Sequence, residues 1–141
     1  MHPNDANFSS YNPLLLNKKE ELKKAKLFLK HCEEGSRIEI EKLVNQGVDI
    51  NIQDSLGDTG LHKACKNGHT EVIDFLLNNN ADTTLYNETE ETPFTVAIKN
   101  NKFLAVQSLI SKKGINSNNL SDFIYAAENN YEQSVHFIID Y

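Results

Sequence analysis

Arginine is nearly absent from this chain of 141 residues: of its fourteen basic residues, only Arg37 is one. Recognition of phosphates and base edges leans on arginine, so a nucleic-acid partner is disfavoured. Cysteine is scarce as well. Cys32 and Cys65 stand alone, which makes no disulfide framework and fits a reducing compartment. No apolar run comes near the roughly 20 residues that a bilayer span needs. The first seventeen residues lack the basic start and apolar stretch of a secretory signal. Metal-binding and catalytic signatures are missing too, among them C-x-x-C, H-E-x-x-H, G-x-S-x-G and the P-loop. The expectation is therefore a non-enzyme with no cofactor and no metal. The charge balance is acidic, with a formal net of −6. That suits a basic or neutral protein surface better than nucleic acid or an anionic membrane.

What the chain does contain is a repeat. The unit from Asp54 to Tyr86 opens, as far as Asp82, with D-x-x-G-x-T-G-L-H-x-A-C-x-x-G-H-x-x-V-I-x-x-L-L-x-x-x-A-D. Thr59 is placed to cap a first helix through its hydroxyl. Ala64 and Cys65 are small, which lets neighbouring helices approach closely. Gly68 suits the left-handed residue that ends that helix. Val72, Ile73, Leu76 and Leu77 recur at helical spacing and make the apolar stripe of a second helix. Gly60 gives up the rigid first-turn backbone that a proline would supply, at about 0.5–1 kcal/mol relative to alanine.

This unit resembles the ankyrin repeat, with its period of about 33 residues and its T-P-L-H-x-A hallmark. Gly57, Thr59, Leu61, His62, Ala64, Gly68, His69, Leu76, Leu77, Ala81 and Asp82 match; Gly60 and Thr84 depart from the pattern. One period upstream, residues 17–53 form a divergent N-capping unit through Leu29, Cys32, Gly35, Ile40, Leu43, Val44, Gly47, Val48, Asp49 and Asn51. Asn17 and Glu20 look like a capping box that opens its helix. Leu22, Ala25, Leu29 and Cys32 are expected to line its buried face. One period downstream, residues 87–115 match through Thr92, Pro93, Phe94, Ala97, Val106, Leu109, Ile110 and Gly114. Thr95 stands in place of histidine and Asn101 in place of glycine. Residues 116–141 read as a truncated C-capping unit. Residues 1–16 read as a tail whose Leu14–Leu16 are expected to cover the open side of the first unit. The fold expected is all-α: an ankyrin-repeat solenoid of about four stacked helix–turn–helix units with finger-like β-turn or hairpin loops.

Several features invite chemistry, and each has a plainer reading. Cys32 and Cys65 sit one period apart, but stacked helices are about 8–10 Å apart, beyond the reach of a disulfide. They are read as buried thiols. His62 and His69 are framework residues of the repeat. The lysines from Lys18 to Lys30 are read as a solvated helix face, with Glu20 and Lys24 in the favoured i, i+4 order. Asn51 is read as a turn residue, although the resemblance also implies a possible substrate of asparaginyl hydroxylation.

The resemblance implies one binding surface, made of the finger tips and the exposed side of the inner helices. Carried over by position, its candidates are Glu33, Glu34 and Gln53 from the first unit. The second gives Ser55, Leu56, Asp58, Lys66, Asn67 and Tyr86. The third gives Glu88, Thr89, Glu91, Lys99 and Asn100, and the fourth Glu128 and Asn129. Carboxylates outnumber lysines in this set, so the concave surface is expected to be acidic and its partner a protein with basic or mixed basic and apolar character. Leu56 and Tyr86 stand out as exposed anchors. The chain is expected to be monomeric and cytoplasmic, in a host cytoplasm if it is a secreted effector. The alternative is the targeting portion of a larger effector or enzyme.

Overall fold

The computed structural model describes residues 13–113. It contains α1 (Pro13–Glu34), α2 (Arg37–Asn45), α3 (Gly60–Asn67), α4 (Thr70–Asn78), α5 (Pro93–Lys99) and α6 (Phe103–Lys113). No strand forms among the described residues, and no helix there is long and apolar enough to cross a membrane. The helices pair as α1/α2, α3/α4 and α5/α6. The inner helices α1, α3 and α5 stack in sequence, and α4 packs on α6 in the outer layer.

Local chemistry sets the ends of the inner helices. Thr59 caps α3 from an extended conformation, its Oγ1 accepting the His62 N–H at 3.2 Å. Thr92 does the same for α5, accepting the Thr95 N–H at 3.3 Å, and Pro93 fills the first helical position. The turns that follow are left-handed, at Gly68 with φ 70° and at Asn101 with φ 58°. Asparagine thus replaces glycine at that turn, as its tolerance of this conformation allows.

One core runs through all three units. Phe28, Leu29, Cys32, Ile40 and Leu43 join Leu61, Ala64, Cys65, Val72, Ile73, Leu76 and Leu77. These in turn meet Phe94, Ala97, Ile98, Val106, Leu109 and Ile110. Both cysteines are buried and free, as expected. Burial pushes the Cys32 thiol up to about 12, against the lowering effect of the Lys63 charge, and raises Cys65 as well. Neither is a poised nucleophile.

The first unit departs from expectation in three ways. α1 begins at Pro13, so Asn17 lies inside it and opens nothing. Leu14, Leu15 and Leu16 sit on its first turn with exposures of 74, 45 and 51%, so they do not fold back as a cover. Leu22 is exposed, and Phe28, four residues before Cys32, takes the buried place instead. Gly60 also acquires a reason. A Cβ there would lie 2.7 Å from Cys32 Sγ and 3.0 Å from the Phe28 ring. The glycine makes room for an aromatic side chain on the preceding unit. The expected fourth unit lies outside the described residues.

Candidate partner-binding groove

The fingers are built by two turns with the same wiring. In the finger leading into α3, Asp54 Oδ1 accepts the N–H groups of Leu56 and Asp58, both at 2.9 Å. In the finger leading into α5, Asn87 Oδ1 accepts from Thr89 at 3.1 Å and Glu91 at 2.9 Å. Aspartate and asparagine share the acceptor this turn requires. Gly57 and Glu90 hold the left-handed tip, at φ 78° and 59°. A Cβ on Gly57 would come within 2.9 Å of the Asn87 Cα, so the next finger presses directly on it.

Polar bonds then fasten finger to finger. The Glu88 N–H donates to the Leu56 carbonyl at 2.8 Å. Gln53 Nε2 donates to the carbonyls of Gly57 and Tyr86 at 2.8 and 3.0 Å. Asn87 Nδ2 donates to Asp58 Oδ1 at 2.9 Å. His62, 1% exposed, lies beneath. Its Nδ1 accepts the Thr59 N–H at 3.0 Å, which assigns the ring proton to Nε2. That proton is donated to the Glu91 carbonyl at 2.8 Å. His69 makes the corresponding bond in the other direction, from Nε2 to the Glu33 carbonyl at 2.8 Å. The two framework histidines tie the second unit to both neighbours. Asn51 Oδ1 accepts the Asp82 N–H of the next unit at 2.8 Å, so its side chain has a structural use.

Between these fingers and the inner helices lies a groove of about 370 Å³. Eight of the sequence candidates line it together: Leu56, Asp58, Lys66, Glu88, Thr89, Glu91, Lys99 and Asn100. Glu33, Glu34, Gln53, Ser55, Asn67 and Tyr86 lie outside it. Glu128 and Asn129 fall outside the described residues. Leu56 and Tyr86 are each 64% exposed. Asn67 and Asn100 spend their amides on the Lys63 and Val96 carbonyls of their own helices, at 2.9 and 2.8 Å.

The charges are more balanced than the sequence count suggests. Lys63, absent from the candidate set, reaches Asp54 at 2.9 Å and Glu33 at 3.9 Å. Lys99 pairs with Glu91. Partial burial opposes ionisation of Asp54, but the Lys63 hydrogen bond, the Asp58 and Leu56 N–H donors and the Lys63 charge hold its carboxyl below the usual range. At Glu91 burial is likewise outweighed by Lys99, Thr89 and Asn87, and its carboxyl is lowered. At Lys63 burial is outweighed by Asp54 and Glu33, and its ammonium is held above the usual lysine value. Asp58, Glu88 and Lys66 form no ion pair among the described residues.

Sequence reasoning missed Lys63, Asp54, Asn87 and Val96. The matching placement of Asp54 and Asn87 at the head of each finger was the available signal. Lys63 carried none, because its counterpart one period on is Val96. Among the described residues, no group of three His, Cys, Asp or Glu side chains could hold a metal ion. A family model described as ankyrin repeats, in three copies, matches residues 28–120.

Proposed function

From the membership of this chain in the ankyrin-repeat family, whose repeats serve generally as protein–protein interaction modules, we propose that it binds a partner protein through the groove beside the fingers that lead into α3 and α5. The observation that carries this reading is the convergence of eight candidate residues on one open groove, with Leu56 exposed at its rim. The fingers are tied to each other and to α3 by hydrogen bonds, so the surface is held in shape before a partner arrives. Preorganisation of this kind lowers the entropic cost of association. Asp58 and Glu88, in no ion pair among the described residues, place negative charge beside Leu56, which favours a partner with a basic group next to an apolar one.

The test is Leu56→Ala, with Glu71→Ala on the exposed side of α4 as control. Loss of the Leu56 anchor should weaken binding of a captured partner by about 1–2 kcal/mol, as for interface hot spots. The control should leave affinity unchanged. The reverse pattern would move the binding surface to the outer helices.

A further inference from the structure

α1 is far longer than its partners in the inner layer. In the repeat register Leu27 matches Gly60, the first residue of α3, so fourteen residues of α1 precede that level. At 1.5 Å per residue they extend about 20 Å past it. Every residue from Pro13 to Lys23 is exposed, and the first buried residue is Ala25. This spur is not the polar helix that free exposure would favour. Its tip carries Leu14, Leu15 and Leu16, and Leu22 follows at 56% exposure. Between Pro13 and Lys30 there are six lysines and two glutamates, a local net of +4 in a chain of total −6. The remainder of the chain therefore carries −10. None of the six lysines is ion-paired among the described residues, and Glu20 does not reach Lys24.

We propose that this spur docks the protein on an anionic lipid bilayer, its leucine tip entering the headgroup region and its lysines binding the acidic lipids. The angular arrangement selects this occupant. Successive helical residues point about 100° apart, so Leu14, Leu15 and Leu16 spread around the tip. Lys18, Lys19, Lys23 and Lys24 spread around the next two turns in the same way. A single groove on another protein meets only one side of a helix. A bilayer surrounds an inserted tip and meets all three leucines and all four lysines together. Leucines for the acyl boundary and lysines for anionic headgroups are the two signals that reversible membrane docking needs. The acidic balance of the whole chain argues against such a surface only as an average. The −10 remainder would turn away from the lipid, leaving the finger groove free for its protein partner.

The experiment is co-sedimentation of the full chain with vesicles of phosphatidylcholine alone, and of phosphatidylcholine with phosphatidylserine. Capture by the phosphatidylserine vesicles only is expected. The quadruple variant K18Q/K19Q/K23Q/K24Q should weaken capture by roughly fivefold per lysine removed. The triple variant L14S/L15S/L16S should weaken it as well, while Leu56→Ala should bind vesicles as the parent does. All these sites but the half-buried Lys24 are exposed, so unchanged thermal unfolding will confirm that the variants fold. No capture by phosphatidylserine vesicles would overturn the proposal. So would capture indifferent to the leucine variant, or lysine-dependent binding to single-stranded RNA in place of vesicles.

Discussion

The joint between neighbouring units is made in two different ways along this stack. Between the first and second units a steric wedge is added to the polar bonds of His69, Gln53 and Asn51. Phe28 is fully buried against Gly60, and the Arg37 guanidinium lies 5.4 Å from the centre of the Phe75 ring. Between the second and third units, Leu61 and Pro93 hold the matching positions, and the fingers are bonded directly to each other. His62 reaches the Glu91 carbonyl, Asn87 Nδ2 the Asp58 carboxylate, and the Glu88 N–H the Leu56 carbonyl. A repeat can thus change its fastening without changing its register. Where fingers are bonded to each other, a fixed groove results; where helices are wedged together, stability does.

The largest expected effect is at the steric joint. Phe28→Ala should cost about 3–5 kcal/mol in denaturant unfolding, since it empties a fully buried site. Gly60→Pro restores the residue usual in the family, yet should destabilise the chain by about 1–3 kcal/mol through overpacking against Phe28 and Cys32. Combined with Phe28→Leu, which copies the second joint, most of that loss should be recovered. Additive losses in the double-mutant cycle would show that the two positions are not a matched pair.

At the polar joint, Gly57→Ala meets both a left-handed backbone and the Asn87 main chain. It should cost at least the roughly 1–2 kcal/mol of the backbone term alone. Glu90→Gly, at the matching tip, should change stability by less than about 1 kcal/mol, because relief of strain and loss of backbone order offset each other. Calorimetric melting temperatures of the two variants test this difference.

The smallest effect is electrostatic. Asp54 and Glu91 have lowered carboxyl values in the folded state, so their contribution is complete above about pH 4 and is lost as pH falls through the folded values. Lys63 is raised. Its contribution is complete below about pH 10 and is lost as pH rises through the folded value. Asp54→Asn should therefore flatten the acid limb of the stability profile while keeping the turn acceptor, as Asn87 does one finger later. An acid limb identical to the parent's would remove the Asp54–Lys63 pair from the account.

The repeat was legible because its constraints are local. Thr59, Gly68, Leu76 and Leu77 fix caps, turns and stripe within a single unit, and Asn101 could be read as a left-handed turn from its own chemistry. What stayed hidden depends on pairs of units. Gly60 looked like a loss until the Phe28 ring appeared above it. Lys63 carried no mark in the pattern, and its use depends on Asp54 and Glu33, which close on it. The candidate groove lay between these cases: the register named eight of its eleven lining residues, but not that Thr89 and Glu91 would be bonded into the turn. The start of α1 was misjudged because Asn17 and Glu20 satisfy a capping pattern, while the helix continues back to Pro13.

The most direct measurement is a paired capture from cell extract. The parent chain is compared with a groove variant, D58K/E88K, and with a charge-matched variant of the outer helices, E39K/E71K. If the finger groove is the binding surface, proteins retained by the parent and by the outer-helix variant will be lost from the groove variant, and isolated partners will show the same order of affinity. Retention by the groove variant with loss from the outer-helix variant would contradict it.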